Sequence, residues 1–595
     1  MVPLDTKRIH DKYLRLLALI AACQNVSEDL MRRILIATAL IICSGSTVLC
    51  QSPYISPDLL NADPNSSVNV IVQFGPGATS AAASVSAGAL NRNLPSINSV
   101  AMSIPAANLQ SLAANPSVVS IVADRPVHML LDNTAAAVNA PAAWSWGLDG
   151  TGIGIAVIDS GISYHDDLQG SFGSRVIFSD DFAGAGGLDY YGHGEHVSGI
   201  LSGNGTDSLC STCSRHFIGM APNANLIDLR VLDANGNGTD SGVIAAIEEA
   251  IQLQSQYNIR VINLSLGRPV YESYQLDPLC QAVEAAWQAG IVVVVAAGND
   301  GRNDSANNNG YGTIGSPAND PYVITVGAMK AMGTPDRSDD LIASYSSKGP
   351  TVIDHIVKPD LVAPGNLVVS LLLPGGTLQT LYPQDCVPMN YYQWTDQTTP
   401  SNSYFTLSGT SMAAPVVSGA AALLLQQNPA LTPDQIKAKL MLTAYKQFPQ
   451  TSTASDPVTG QTYTSEYDIF TVGAGYLDIQ AAILDKTHFW GQAAQSPVAV
   501  LTPAANGNPA VANVTCTSTT VCAGQVWGRG HWTLQSIWGS QAIASDQSIW
   551  GDQSLWSDQS IWSDQSIWSD QSIWGDQSVW SDSTLGMQIM TNGEP

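Results

Sequence analysis

A serine, a histidine and an aspartate stand in this chain in settings that suit nucleophilic catalysis. Ser411 lies in Gly409-Thr410-Ser411-Met412-Ala413-Ala414-Pro415, a tight turn followed by a small-residue, apolar run to about Gln427. That run predicts a buried helix with Ser411 at or next to its N-terminus, where the partial positive charge and free N–H groups favour a developing oxyanion. A serine alone is a weak nucleophile and needs a base, with a carboxylate to orient that base. The base candidate is His193, in Gly192-His193-Gly194-Glu195-His196-Val197-Ser198-Gly199. The carboxylate candidate is Asp159, which closes a short apolar run over 153–158 and opens Asp159-Ser160-Gly161. A continuous apolar run predicts a strand buried on both faces of a parallel sheet. Asp159 then falls at its carboxyl end, where open α/β sheets place ligands. From there an aspartate can hold a histidine in one tautomer and stabilise its imidazolium. His193 and His196 stand three apart, but without the HExxH spacing a zinc reading has little support.

The segments DSG at 159–161, GHGEHVSG at 192–199 and GTSMAAP at 409–415 occur in the order Asp, His, Ser. That order and those neighbourhoods resemble the subtilisin-like serine proteases over roughly residues 140–483. INLSLG at 262–267, AAGN at 296–299, YSSKGP at 345–350, KPDLVAPG at 358–365 and GAGYLDIQAA at 473–482 agree with it. The resemblance implies an α/β, subtilisin-like three-layer fold with a mostly parallel sheet between helices. It implies peptide hydrolysis through an acyl-enzyme, with catalytic Asp159, His193 and Ser411 and the oxyanion-hole Asn299. It also implies a primary specificity pocket walled by Ser265, Leu266, Gly267, Ala296, Ala297 and Gly298, with Gly315 at its base. Small residues there leave room for a large apolar side chain. Loss of the oxyanion asparagine costs about 10²–10³-fold in turnover in subtilisin itself, a magnitude taken over from that enzyme.

Three departures stand out. Glu195 takes a position where the family more often has threonine; a carboxylate there either raises the pKa of His193 beside it or faces solvent, and the solvated reading at a helix start is the expectation. Residues 203–218 and about 366–405 read as inserted surface loops. The first of them sits where many relatives build a calcium site but shows no clear oxygen-ligand pattern, so no cofactor is expected and calcium stays open.

The elements around this domain suit an exported, self-processing enzyme. Arg32-Arg33, the apolar run 34–42 and small residues after it read as a secretory signal. Met31 is then the expected start, within an N-terminal extension spanning 1–50. Neither that run nor 14–22 reaches the roughly eighteen residues of a membrane span. Residues 51–132 form a small α+β unit, with strands at 68–74, 99–104 and 118–122 and a helix at 106–114. This resembles the family's inhibitory propeptide, with a cut between about 127 and 139; the alternative is an ordinary domain that stays attached. The catalytic domain spans 133–483. After the signal six cysteines remain, and Cys210–Cys213 and Cys516–Cys522 are the local disulfide candidates. With 49 acidic against 23 basic residues the net charge is −26. That disfavours nucleic acid and anionic membranes as partners. Expected partners are protein or peptide substrates and the chain's own propeptide.

Residues 484–531 read as a linker and 583–595 as a tail. Between them, over 532–582, tryptophan recurs every six residues, at Trp532, Trp538, Trp550, Trp556, Trp562, Trp568, Trp574 and Trp580. In an extended strand an even step puts every tryptophan on one face. In an α-helix it rotates about 240° and scatters them, so short β-segments are favoured. Three readings stay open: a structural cap on this or another copy, a surface-binding module, and a segment removed on maturation. The competing class for the whole chain is a binding protein on an inactive protease fold; a third is an esterase using the same serine.

Overall fold

The structure, a computed structural model, describes residues 53–55, 59, 66–75, 88–94, 98–123, 133–184, 186, 188–305, 308–395, 397–456, 459–487, 493–502, 511–513, 528–529, 532–533 and 584–594. The chain forms two compact units, Met1–Val127 and His128–Pro595.

In the first unit five strands pair in the order Tyr54–Ile55, Val118–Ala123, Ser67–Phe74, Ser99–Pro105, Ala89–Leu94. The central strand SVNVIVQF buries Val70, Val72 and Phe74 and turns Asn69 and Gln73 outward, the period of two that a half-buried strand requires. Val100, Met102 and Ile104 pack on that face with Leu109 and Leu112 of the helix Leu109–Ala113. The three strands and the helix expected from the sequence are present. Ala89–Leu94 was not anticipated, because ALNRNL has no clean alternation.

The second unit is built on an eight-stranded sheet. Its path runs Leu341–Ile342, Ile324–Lys330, Val292–Ala296, Ile259–Leu264, Gly154–Asp159, Asn225–Arg230, Val176–Asp181, with Leu361–Pro364 also pairing Ile324–Lys330. All pairings are parallel except that of Leu341–Ile342. Every residue of Gly154–Asp159, Val292–Ala296 and Ile324–Lys330 is buried, so both faces are covered. The helix Thr410–Gln427 packs on the three strands from Ile259 to Lys330 and against the helix His193–Ser202. Its small residues allow this: a Cβ on Gly419 would meet Met220 Cβ at 2.3 Å.

The two insertions are not plain surface loops. Residues 366–405 hold a three-stranded antiparallel sheet of Val368–Leu371, Pro400–Leu407 and Cys386–Pro388. Residues 203–218 pack onto it: Cys213 bridges to Gln393, and Trp394 N–H donates to Thr212 O at 2.7 Å. Phe217 meets Tyr404 edge-on at 4.5 Å and Tyr392 at 5.7 Å. The insertions thus carry aromatic residues enough for a small core of their own, which composition alone concealed. Cys210–Cys213 is a disulfide, Cys280 and Cys386 are buried free thiols, and Cys516 and Cys522 lie outside the described residues. So do the signal segment and almost all of the tryptophan repeat.

The linker reading fails at its start. Ala494, Ser496 and Ala499 are buried, and Val357 N–H donates to Pro497 O at 2.8 Å. Ser496 Oγ accepts from the buried Lys437 ammonium at 2.8 Å and donates to Asp360. A buried lysine needs such partners, and this stretch of chain supplies one. The tail, too, is ordered: Thr584–Asn592 is a helix packed on the same unit.

Candidate active site

Asp159 ends the strand Gly154–Asp159 as expected, fully buried. Its Oδ1 accepts from Ser160 N–H at 2.7 Å and pairs with His193 Nδ1 at 2.7 Å. His193 opens the helix His193–Ser202. Its approach to Asp159 depends on Gly194, where a Cβ would lie 2.3 Å from Gly161 O. The helix start is held by Asp189, a residue the sequence reading missed. Asp189 Oδ1 accepts from Tyr191 and Gly192 N–H, each at 2.9 Å, and Oδ2 from Glu195 N–H at 3.0 Å. A carboxylate four residues before the histidine, ahead of a glycine, was the available signal. Burial works against the His193 imidazolium. The charge and hydrogen bond of Asp159, with the charge of Asp189, outweigh it and raise the histidine above its ordinary value.

Ser411 lies in the first turn of Thr410–Gln427, and Gly409 provides no side-chain cap. Its hydroxyl donates to Ser265 O at 3.2 Å, and its carbonyl accepts from Ser265 Oγ at 2.8 Å. The hydroxyl is thus parked on the strand beyond Ile259–Leu264, not on His193. Bonds of this kind often form only when substrate is present. Asn299 Oδ1 accepts from Thr410 N–H at 2.9 Å and from Thr410 Oγ1 at 3.1 Å. This fixes the amide and leaves its Nδ2 as the donor beside Gly409, whose Cβ position is 3.3 Å from it.

The residues assigned to the specificity pocket come together. Leu266, Ala296 and Ala297 are buried. Gly315 N–H donates to Ala297 O at 3.2 Å, Arg268 and Ser316 exchange backbone bonds at 2.9 and 2.7 Å, and Gly298 N–H donates to Thr410 Oγ1 at 3.1 Å. Ser265-Leu266-Gly267 and 296–298 therefore run into the nucleophile turn from two strand ends, with Gly315 tied between them.

Glu195 corrects the sequence expectation of a solvated carboxylate. It is 1% exposed, Oε2 accepts from Ser163 N–H at 2.6 Å, and Oε1 has no partner among the described residues. Burial first, then the charges of Asp189 and Asp228, push it well above its ordinary 4.5, against the bond from Ser163 N–H, which lowers it. His196 is no metal ligand either. Its Nε2 faces Val368 O and Phe405 O, each at 3.1 Å, and burial presses it down to about 3.

His165, Asp167 and Asp207 offer ligand atoms within 4.8 Å of one another, Asp207 coming from the inserted stretch where calcium was left open. Most of their ligand atoms already hold partners inside the protein. Asp167 accepts from Asp207 N–H at 2.7 Å and Tyr404 hydroxyl at 2.8 Å, and Asp207 Oδ2 from Ser403 Oγ at 2.7 Å. His165 Nδ1 accepts from Asp167 N–H at 3.1 Å, and Nε2 faces Ser403 O at 3.1 Å. Calcium takes about six to eight oxygens, and this set does not fit it.

A histidine held by a buried carboxylate, and a serine at an uncapped helix start, are the groups a serine hydrolase needs. The parallel sheet beneath places it among the α/β ones. Comparison with known proteins sharpens this. The sequence profile of the subtilase family matches residues 150–471. Serine protease AprX of Bacillus subtilis (strain 168) is 38% identical over 354 residues, 58% of this chain and 73% of that one. Subtilisin DY of Bacillus licheniformis is 33% identical over 337 residues, 56% and 92% of the two chains. A solved cold adapted subtilisin-like serine proteinase aligns at 29% identity over 56% of this chain and 89% of its own, with a TM-score of 0.37. The chain belongs to the subtilase family, and it is a serine endopeptidase.

Proposed function

We propose that this is a secreted, extracellular or cell-surface endopeptidase working through Asp159, His193 and Ser411, and matured by removal of its amino-terminal unit. The observation that carries the catalytic reading is the buried Asp159–His193 pair at 2.7 Å, its histidine on a helix packed against the one that bears Ser411 at its uncapped start. Ser411 Oγ attacks the scissile carbonyl carbon while His193 Nε2 takes its proton. The carbonyl electrons move to oxygen, which the Asn299 Nδ2 and the Ser411 N–H receive. Collapse breaks the C–N bond, and His193 returns the proton to the leaving amine. Water then cleaves the acyl-enzyme by the same steps, with His193 again the base.

Supporting maturation, the first unit is a compact sheet-and-helix body; the expected cut, between about 127 and 139, follows it and reaches into the helix Asn133–Ala137. Export is supported by the signal-like run, and no described helix is long and apolar enough to cross a membrane. Intact mass of the secreted wild type beside Ser411→Ala tests the reading. Loss of the segment to about residue 127–139 in the wild type only, with casein hydrolysis only there, supports it. Full length in both proteins sinks self-processing, and an inactive wild type sinks catalysis. The tryptophan repeat, as a surface-binding module or as a contact with another copy, is tested by binding of repeat-deleted protein to polysaccharide and by its oligomeric state.

A further inference from the structure

The segment 584–594 returns to the catalytic unit and lands on the chain neighbours of the catalytic groups. Tyr191, two residues before His193, donates its hydroxyl to Met587 Sδ at 3.4 Å. Ser408, three residues before Ser411, donates its N–H to Met590 O at 2.8 Å. Ile589 is buried between these contacts. Gly593 closes the helix with φ +59° and lies so near Ser408 that a Cβ would come within 2.5 Å of its Oγ. A side chain at 593 would therefore meet both backbone strain and a clash.

Glu594 then enters a pocket built for a carboxylate. Its Oε1 accepts from Arg302 Nη2 at 2.6 Å, from Ser344 N–H at 3.0 Å and from the Ser344 hydroxyl. Its Oε2 lies 3.3 Å from Lys330 Nζ. Asn366 clasps the main chain in both directions, accepting from Glu594 N–H at 2.8 Å and donating to Glu594 O at 2.7 Å. Arg302, Lys330 and Glu594 are all more than nine-tenths buried. Arg302 stands three residues beyond Asn299. Arg302 also pairs with the buried Asp456, and without Glu594 it loses its second carboxylate. The occupant is thus matched to the pocket at side chain and main chain alike.

We propose that Arg302, Lys330, Ser344 and Asn366 form an intramolecular docking site for the segment 584–594, and that the docked segment fills the leaving-group side of the cleft. This rests on the catalytic roles proposed above. The leaving amine must collect its proton from His193, so the substrate chain beyond the scissile bond runs past the turn before His193 and the strand before Ser411. Those are the surfaces that Met587 and Met590 hold. The acyl side runs along Ser265–Gly267, which have no recorded contact with the segment among the described residues. Substrates that extend past the scissile bond therefore compete with the segment; substrates that end there do not.

The test uses full-length protein and Glu594→Gln. One substrate is a peptidyl p-nitroanilide, with no residue beyond the scissile bond. The other is an internally quenched peptide with four residues beyond it. A segment docked in about nine molecules of ten lowers apparent affinity about tenfold. The ratio of kcat/KM, quenched peptide over p-nitroanilide, therefore rises about tenfold in the variant, through KM. Synthetic peptide 584–594 added in excess brings it back. An unchanged ratio overturns the proposal and leaves the segment a structural staple. Should the variant not fold, hydrogen exchange on the unmodified protein decides. An inhibitor spanning the scissile position must raise exchange in 584–594, and an inhibitor confined to the acyl side must not; equal effects overturn the proposal. Loss of p-nitroanilide hydrolysis in Ser411→Ala reports the catalytic reading separately.

Discussion

Two helix starts face each other in this site, and they are finished in opposite ways. At His193–Ser202, where Gly192 brings no side-chain cap either, Ser160 Oγ accepts from Gly194 N–H and Asp189 from Glu195 N–H, while Asp189 also takes Tyr191 and Gly192 N–H just ahead of the helix. At Thr410–Gln427 the position before the helix is Gly409, and no side chain caps it. Thr410 N–H goes to Asn299 Oδ1, while Ser411 N–H finds no acceptor among the described residues. A satisfied start holds a side chain still; an open one retains donors for charge that appears only during reaction. The proposed base suits the first and the proposed nucleophile the second.

The largest way to break this contrast is at the open end. Ser411→Ala is expected to lower kcat by about 10⁶-fold, the scale known for subtilisin's own serine, read in a peptidyl p-nitroanilide assay. Asn299→Ala is expected to cost about 10²–10³-fold in kcat with KM little changed, again subtilisin's own figure. A loss confined to KM would mean that Asn299 binds ground-state substrate and not an oxyanion. At the satisfied end the effects are smaller. Asp189→Asn removes the bond to Glu195 N–H and is expected to cost about 1 kcal/mol of stability, as caps do. It also removes one of the charges that raise His193. His193 works as a base only when neutral, so activity rises with pH through its titration. With that charge gone the acid limb of kcat/KM moves to lower pH, and a limb that stays in place would show Asp189 to be a structural cap alone.

The smallest effect concerns Glu195. Its folded value lies well above the ordinary 4.5, so the stability tied to its neutral form is complete below 4.5 and falls as pH rises through the folded value. Glu195→Gln stays neutral throughout. The variant's Tm is expected to exceed that of the wild type increasingly on the alkaline side, with the gap closing at acid pH. An equal Tm difference at every pH would show that the carboxyl titrates alike in the folded and unfolded chain, unshifted by its burial.

The strand ending on Asp159 and the helix from 410 to about 427 were legible, because apolar runs and small-residue turns are written in residue types; the meeting of 265–267, 296–298 and 315 followed only from the resemblance to the subtilisin-like proteases. Glu195 was misread for a physical reason: residue type announces a charge, and only the fold reveals a site dry enough to push its titration upward. Asp189 was missed because its role lies in three backbone N–H groups that the sequence does not display. The insertions were misjudged because their cores form only when 203–218 and 366–405 meet. The docking of 584–594 joins Glu594 to Arg302, Lys330 and Asn366, partners more than two hundred residues away in sequence, and no local pattern marks it.

Residues 494–499 and 584–594 are both fixed to one unit, so the chain between them is a tether closed at each end. The docking segment thus meets its pocket at an effective concentration in the mM range, and doubling the tether would weaken it by only about 0.6 kcal/mol. One cut anywhere in the tryptophan repeat changes the order of the process. Re-docking, first-order while the tether is whole, becomes second-order and dependent on dilution. A protease able to nick its own repeat would carry a latch that, once released and diluted, does not return.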